Sequence, residues 1–296
     1  MSDRYAALAA AIARATGRHL EPRPARVVGG GTIDEAWCWH GDAGELFVKI
    51  APLPQAARLA SEADGLRDLA TATAVRVPAV AGTGTTTTAA WLALEWLDLV
   101  AADSAAQATL GEQLAALHRC CAPAYGLEHD NYIGGTLQTN GWLEDWAEFL
   151  SRRRLAPQLA LAQHNGYGGR LQQRGALLVE LTGVFYSSYR PVPSLLHGDL
   201  WAGNWGMLAG GTPVVFDPAA YFGDREADIA MTRLFGGFGA RFYDTYQTAW
   251  PLDQGASARR DLHNLYHVLN HLNLFGGSYL GRALAMIDRL LAETGR

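Results

Sequence analysis

The chain is 296 residues long, 49% hydrophobic and 18% charged, proportions that exclude a disordered or collagen-like polypeptide. Its formal net charge of −5 argues against a basic nucleic-acid-binding protein. No apolar run reaches the ~18 residues of a membrane span, Asp3, Arg4 and Arg14 interrupt the start where a signal peptide needs an apolar core, and Cys38, Cys120 and Cys121 form no paired framework, so a soluble cytoplasmic protein with no membrane or nucleic-acid partner is expected.

Apolar positions at Tyr5, Leu8, Ile12 and Ala15 predict an amphipathic helix over residues 3–16. Strand signals follow at Arg26–Val28, Glu35–His40 and Leu46–Ile50, separated by Gly29-Gly30-Gly31 and by Gly41-Asp42-Ala43-Gly44. Three strands so close together make an antiparallel sheet rather than a βαβ unit. Pro52 and Pro54 break the chain, Gln55–Leu69 reads as a helix, and Val80–Thr83 and Ala89–Glu95 return to β structure around a threonine-rich turn. After Ser104 the pattern is mainly helical: Ala105–Cys120, Trp142–Leu155, Arg170–Ser188, Glu226–Phe235, Ala240–Trp250, Ala258–Phe275 and Arg282–Thr294, with a β-like insert over Asn204–Asp217. There is no internal repeat. The expected architecture is α+β and two-part: a small antiparallel sheet with an inserted helix over residues 1–97, and a mainly helical part over 98–296, joined by a hinge near Asp98.

Lysine and arginine together number 24, yet Lys49 is the single lysine. In a sequence that otherwise uses the planar guanidinium fork, one compact ammonium on a flexible stem is a candidate functional group. The strongest segment is His197-Gly198-Asp199-Leu200-Trp201-Ala202-Gly203-Asn204, followed by a hairpin that ends in Val214-Val215-Phe216-Asp217-Pro218. An Asp, an Asn five positions on and a second Asp at a strand end form the polar set that phosphoryl transfer requires. Asp199 would orient and deprotonate an attacking hydroxyl, while the Asn204 amide oxygen and the Asp217 carboxylate would hold Mg²⁺ against the phosphates. The spacing fits protein-kinase logic, with Asp217-Pro218-Ala219 in place of DFG.

The N-terminal pieces fit the same account. Gly29-Gly30-Gly31-Thr32 can approach a triphosphate of ATP closely because no Cβ obstructs it, although it matches no Walker loop and no helix follows it. Lys49 sits near the end of LFVKI, and Glu62 on the next helix could pair with it and hold it at the α/β-phosphates; otherwise Glu62, Asp64 and Asp68 form a solvated helix face. Glu95-Trp96-Leu97, at the crossing between the two parts, offers backbone N–H and C=O groups to an adenine edge.

Taken together, the chain resembles the fructosamine kinase (ketosamine kinase) family, in the aminoglycoside-phosphotransferase-like branch of the protein-kinase-like fold. The resemblance covers nearly the whole chain and is carried by HGDLWAGN, by Asp130-Asn131-Tyr132-Ile133-Gly134 with Gln138, Asn140, Trp142 and Asp145-Trp146, and by Gly223-Asp224-Arg225-Glu226-Ala227-Asp228-Ile229-Ala230-Met231-Thr232. It implies a bilobal fold and ATP- and Mg²⁺-dependent phosphorylation of the sugar 3-hydroxyl of ketosamines, either small molecules or glycated lysines on proteins, after which the adduct breaks down and frees the amine. By that similarity Asp199 is the base, Asn204 and Asp217 bind Mg²⁺, and Lys49 with Glu62 holds the phosphates. Trp201 would form an apolar floor for the sugar ring or pack between loop and helix. Where some members carry a regulatory cysteine in the glycine loop, this chain has Thr32, so redox-linked dimerisation is not expected and a monomer is.

Other features have blander readings. His263, His267 and His271 recur at helical spacing and read as a face packed near the cleft rather than a metal stripe. Asp224, Glu226 and Asp228 around Arg225 read as a structural network in which Arg225 pairs with an acid and Asp228 braces the catalytic loop. Arg152–Arg154 reads as a solvated face or a contact for an anion. Three other functions compete: a kinase for another alcohol, such as an aminoglycoside, choline or homoserine; a non-catalytic nucleotide-binding module, disfavoured because all five polar groups are present; and a metallophosphatase built from His197, Asp199, Asp217, Asp224 and His263, which would need neither lysine nor glycine loop.

Overall fold

The computed structural model describes residues 2–29 and 34–295. Helix α1 (Ser2–Thr16) precedes β1 (Arg26–Val27), β2 (Glu35–Trp39) and β3 (Leu46–Pro52); α2 (Ala56–Thr71) follows, then β4 (Val80–Thr85) and β5 (Ala89–Glu95). The strands form one antiparallel sheet in the order β1-β2-β3-β5-β4. Its two faces follow from the period-two alternation of side chains along a strand. Leu46, Val48 and Ile50 of β3 and Trp91 and Ala93 of β5 pack with Leu8 and Ile12 of α1. The opposite parity, including Ala51, Leu92 and Leu94, packs with Leu59, Ala63 and Leu66 of α2. Lys49 shares the parity of Ala51, so strand geometry alone delivers it to the α2 side. Both faces are covered, which is why β3 and β5 read as near-continuous apolar runs.

Beyond Glu95 the chain pairs again as β6 (Leu99–Val100), which lies against Met207 and Leu208 of a later strand. Helix α3 (Ser104–His118) is capped by Asp103, whose carboxylate accepts from Ala106 N–H at 2.8 Å. Then come β7 (Asn131–Ile133), β8 (Thr136–Gln138), α4 (Trp146–Phe149), α5 (Ala156–His164), α6 (Arg170–Leu181), β9 (Ser194–Leu196), β10 (Trp205–Leu208), β11 (Pro213–Val215), β12 (Tyr221–Gly223), α7 (Glu226–Leu234), α8 (Ala240–Ala249), α9 (Ala256–Phe275) and α10 (Leu280–Glu293). The apolar cluster under α2 continues into α3, β10, β11 and α8 through Leu110, Leu114, Met207, Val215 and Phe242. The buried face of α9, with Leu262, Leu265 and Leu269, anchors a second cluster against α7 and α10.

The helix expected from Trp142 begins at Trp146, because Asp145 caps it by accepting from Glu148 N–H at 2.8 Å. It then widens into a π turn over Leu150–Leu155 and runs on to His164. Pro157 does not stop it, since it falls at the junction of the π turn and α5, where the regular ladder is already interrupted and the Arg153 carbonyl accepts from Arg154 Nη1 at 3.0 Å instead. The hairpin expected ahead of Asp217 forms from β10 and β11 and turns at Gly210-Gly211, with φ of +93° and +86°.

Candidate active site

Three charged side chains from distant elements meet at one point. Lys49 Nζ donates to Glu62 Oε1 and to Asp217 Oδ1, each at 2.8 Å. Burial alone would depress the ammonium, but the two carboxylates outweigh it and hold Lys49 above the ordinary lysine range. Glu62 therefore leaves the solvated-face reading, whereas Asp64 pairs with Arg67 of its own helix at 2.7 Å. Asp217 stands just past β11 with φ of +57°, a conformation rare for non-glycine residues.

The loop that carries Asp199 is fixed from below. Asp228, in the first turn of α7, accepts the backbone N–H groups of His197 at 2.7 Å and Gly198 at 2.9 Å. Burial would raise its pKa, but His118 Nε2 at 3.2 Å, the nearby His197 ring and the Gly198 N–H hold it below the usual carboxylate range. His197 Nε2 faces the Phe216 carbonyl at 3.0 Å and its Nδ1 accepts from Asp199 N–H at 3.3 Å, a pair of contacts that specifies the neutral Nε2–H tautomer. Gly198 has φ of +82°, and a Cβ there would sit 2.1 Å from the Ala219 carbonyl oxygen, so no other residue fits.

Asn204 ties the two aspartates together. Its Nδ2 donates to the Asp199 carbonyl at 2.8 Å and approaches Asp199 Oδ2 at 3.3 Å and the Asp217 carbonyl at 3.4 Å. Burial first, and then the nearby Asp217 and Asp228 carboxylates, push Asp199 up to about 7. His267 Nδ1 lies 3.9 Å from Asp199 Oδ1 and is buried without a hydrogen-bond partner among the described residues. Its i+4 neighbours have different surroundings: His263 faces Asp224 at 3.5 Å, and His271 Nδ1 bonds the His267 carbonyl at 2.8 Å. The three histidines thus share a helix face but not a ligand.

The family-specific polar stretch lies underneath this machinery. Asn131 Nδ2 donates to the Ala220 carbonyl at 2.7 Å, and its Oδ1 accepts from Gln138 Nε2 and Asn140 Nδ2, both at 2.8 Å. Gln138 also donates to the Ala219 carbonyl at 3.2 Å and accepts from Tyr266 Oη–H at 2.8 Å. Arg154 is fully buried, donating to Asn140 Oδ1 at 2.8 Å with its guanidinium 4.1 Å from the Tyr221 ring centroid. This network grips the chain just after Asp217-Pro218. Only Arg152 of the arginine run behaves as a solvated residue, pairing with Glu148 at 2.9 Å; Arg154 corrects the surface reading, because the π turn rotates it inward.

The remaining candidates divide. Gly29 has open space where a Cβ would be, while Gly30, Gly31 and Thr32 lie outside the described residues. The exit of that segment is anchored by an ion pair between Asp34 and Arg58 at the start of α2. Glu95 does not offer its N–H to a base: that group donates to the Ala79 carbonyl at 2.8 Å, and its carboxylate holds Arg76. Trp96 lies beside Phe47 with the Arg26 guanidinium 4.7 Å from its ring centroid, and Leu97 follows it. Trp201 is 39% exposed, with the Phe235 ring edge-on at 6.2 Å. Arg225 pairs with no acid among the described residues. It donates to the Trp250 and Pro251 carbonyls and to Tyr246 Oη, because Trp250 stacks on it at 4.1 Å and draws it to the α8 side. Asp224, Glu226 and His263 bring oxygen and nitrogen atoms within 4.8 Å of one another. Arg259 already takes both Glu226 oxygens at 2.8 Å, which makes the group a structural ion-pair network.

Comparison with known proteins gives one family. The fructosamine kinase family model matches residues 4–293. A probable ketoamine kinase of Synechocystis is 39% identical over 285 residues, covering 96% of each chain. The chloroplastic protein-ribulosamine 3-kinase of Arabidopsis thaliana is 38% identical over 267 residues, 89% of this chain and 81% of that one. Among solved structures, a candidate fructosamine-3-kinase from Thermobifida fusca superposes with a TM-score of 0.85 at 31% identity, over 96% of this chain and 98% of the other. A thermostable mutant of the aminoglycoside phosphotransferase APH(4)-Ia, in ternary complex with ADP and hygromycin B, superposes with a TM-score of 0.67 at 12% identity over 97% and 98%, a likeness of fold alone.

Proposed function

The chain belongs to the fructosamine kinase family, and we propose that it transfers the γ-phosphoryl group of ATP to the sugar 3-hydroxyl of ketosamines, small or protein-borne, and so acts in repair of glycated amines. The observation that carries the reading is the meeting of Lys49 with Glu62 and Asp217 beside the Asp199–Asn204 pair.

Each residue then has a task. Lys49, oriented by Glu62, neutralises the α/β-phosphates, with Gly29 and the residues after it alongside. The backbone of Trp96 and Leu97 receives the adenine edge. Asn204 and Asp217 suit Mg²⁺: a carboxylate and an amide oxygen are hard donors, and the Asn204 nitrogen, committed to Asp199, leaves its oxygen as the outward end. When bound, Mg²⁺ supplies charge neutralisation at the phosphates. Asp199 takes the proton of the attacking hydroxyl, and its raised pKa suits a base working near neutrality. Trp201 offers an exposed indole face beside it for the sugar ring. Residues 1–97 form the nucleotide-binding part and 98–296 the catalytic and substrate part of a cytoplasmic monomer.

The test is an ATP-consumption assay over ribulosamines, erythrulosamines and fructosamines, with the phosphate position mapped by NMR. A 3-phosphate on at least one ketosamine is expected. Turnover of an aminoglycoside, choline or homoserine with none on any ketosamine would reverse the reading.

A further inference from the structure

A cavity of about 400 Å³, away from the cleft, opens between the end of α7 and helices α9 and α10. Its polar lining is Arg233, Arg260, Arg282, Arg289, Asp261 and Asn264. Four guanidinium groups thus face a single carboxylate, and the one carboxylate is bound to Arg289 alone, through Nε at 3.0 Å and Nη2 at 2.7 Å. Arg260 has no ion-pair partner among the described residues. Arg233 lies 3.6 Å from the Tyr243 ring centroid, and a guanidinium stacked on a ring keeps its in-plane N–H donors for another partner. Arg282 gives one N–H to the Leu234 carbonyl at 3.0 Å. The excess of planar donors suits a phosphate ester.

A second observation narrows the ligand. Asn264 lines the same cavity, is only 4% exposed, and its Oδ1 is buried with no hydrogen-bond partner among the described residues. A buried amide oxygen without a donor is costly and needs a reason. Inorganic phosphate has as its dianion a single P–OH, on the very group the guanidinium cluster draws in, whereas a sugar phosphate carries separate hydroxyls that reach a second partner while its phosphate stays with the arginines. The apolar lining is limited to Leu234 and Met286, with no platform on which a nucleobase could stack. The volume falls in the range of small-ligand sites.

We propose that this cavity is a second ligand site, distinct from the catalytic cleft, for a small sugar phosphate, its phosphate held by Arg260, Arg289, Arg233 and Arg282 and a hydroxyl donated to Asn264. The site is wired to the cleft. The Arg282 guanidinium lies 5.8 Å from the Phe235 ring centroid, and Phe235 is the ring set edge-on to Trp201. A ligand that recruits Arg282 acts on the support of the proposed sugar platform.

Isothermal titration of the intact protein with ribose 5-phosphate, ribose and inorganic phosphate tests the assignment without reference to kinase activity. Ribose 5-phosphate is expected to bind at least about tenfold more tightly than either control. Arg260→Glu, an exposed residue whose change threatens no packing, is expected to weaken it at least about tenfold while ATP binding stays unchanged. Asn264→Leu is expected to bring ribose 5-phosphate down to the affinity of inorganic phosphate. Absence of binding, equal binding of inorganic phosphate by the unaltered protein, or undiminished binding by Arg260→Glu each overturns the proposal. Because the readout is binding, these outcomes stand whichever alcohol the kinase phosphorylates.

Discussion

Lys49 and Asp217 meet at 2.8 Å although 168 positions separate them in the chain. The contact joins the sheet of the first part to the loop that follows β11, and Glu62 completes it from α2. Lys49→Met would leave two carboxylates facing each other without their cation. A buried pair broken on one side loses about 3–5 kcal/mol, and loss of a charge-stabilising donor lowers kcat by roughly 10²-fold or more. Lys49→Arg is expected to restore little of the activity, because the planar fork cannot occupy the space of a point charge held between Glu62 and Asp217. Steady-state kinetics alongside thermal melts check both.

Trp201→Ala is expected to raise KM for a ketosamine about tenfold, the order of one lost aromatic contact, and to leave KM for ATP unchanged. Equal KM for the ketosamine in variant and unaltered enzyme would assign Trp201 to packing against Phe235 instead.

These two predictions differ in how far sequence could reach. The HGDxxxxN spacing sufficed to place Asp199 beside Asn204, because that separation is local; Lys49 and Asp217, 168 positions apart, were joined in the sequence only by protein-kinase logic and by Lys49 being the single lysine. The bracing of the catalytic loop by Asp228 was also readable from the acids of α7, and the structure bears it out. Arg154 was not readable. It stands in a run of three arginines, and only the π turn and the rings of Tyr221 and Phe149 decide that one of them is buried. The two- and three-residue strands β6, β7, β8, β9 and β12 are too short to carry a period-two pattern; tertiary pairing makes them. Arg225 misled for a related reason, since acids close in sequence stood for partners that α8 and the chain after it supply in space.

The polar brace under Asp217 is expected to behave as a unit. Asn131→Ala removes the donor to Ala220 and the acceptor for Gln138 and Asn140. Each buried group left unpaired costs about 1–3 kcal/mol, so a clear fall in the melting temperature should accompany a reduced kcat. A melting temperature within a degree or so of the unaltered protein's would show that the network does not carry the loop, given that ~1 kcal/mol moves a domain of this size by ~2 °C.

Burial holds His267 neutral and lowers its pKa to about 3. The unfolded chain titrates it near the ordinary value of 6.5, so below that pH the unfolded state binds the extra proton and stability falls. The contribution is fully present above the unfolded pKa and is lost as pH drops toward the folded one, at about 1 kcal/mol per pH unit. Melting curves at neutral pH and two units lower should therefore show a smaller acid-induced loss for His267→Gln than for the unaltered protein. An equal loss in both would mean that His267 accepts a proton in the folded state, with the Asp199 carboxylate 3.9 Å away as its partner.

The direct test of the account is Asp199→Asn, assayed for phosphoryl transfer from ATP to a ketosamine and, separately, for ATP binding. The substitution preserves shape and removes the proton acceptor beside Asn204. The account predicts a kcat lowered roughly 10²–10⁴-fold with ATP affinity close to that of the unaltered enzyme; near-normal turnover would contradict it.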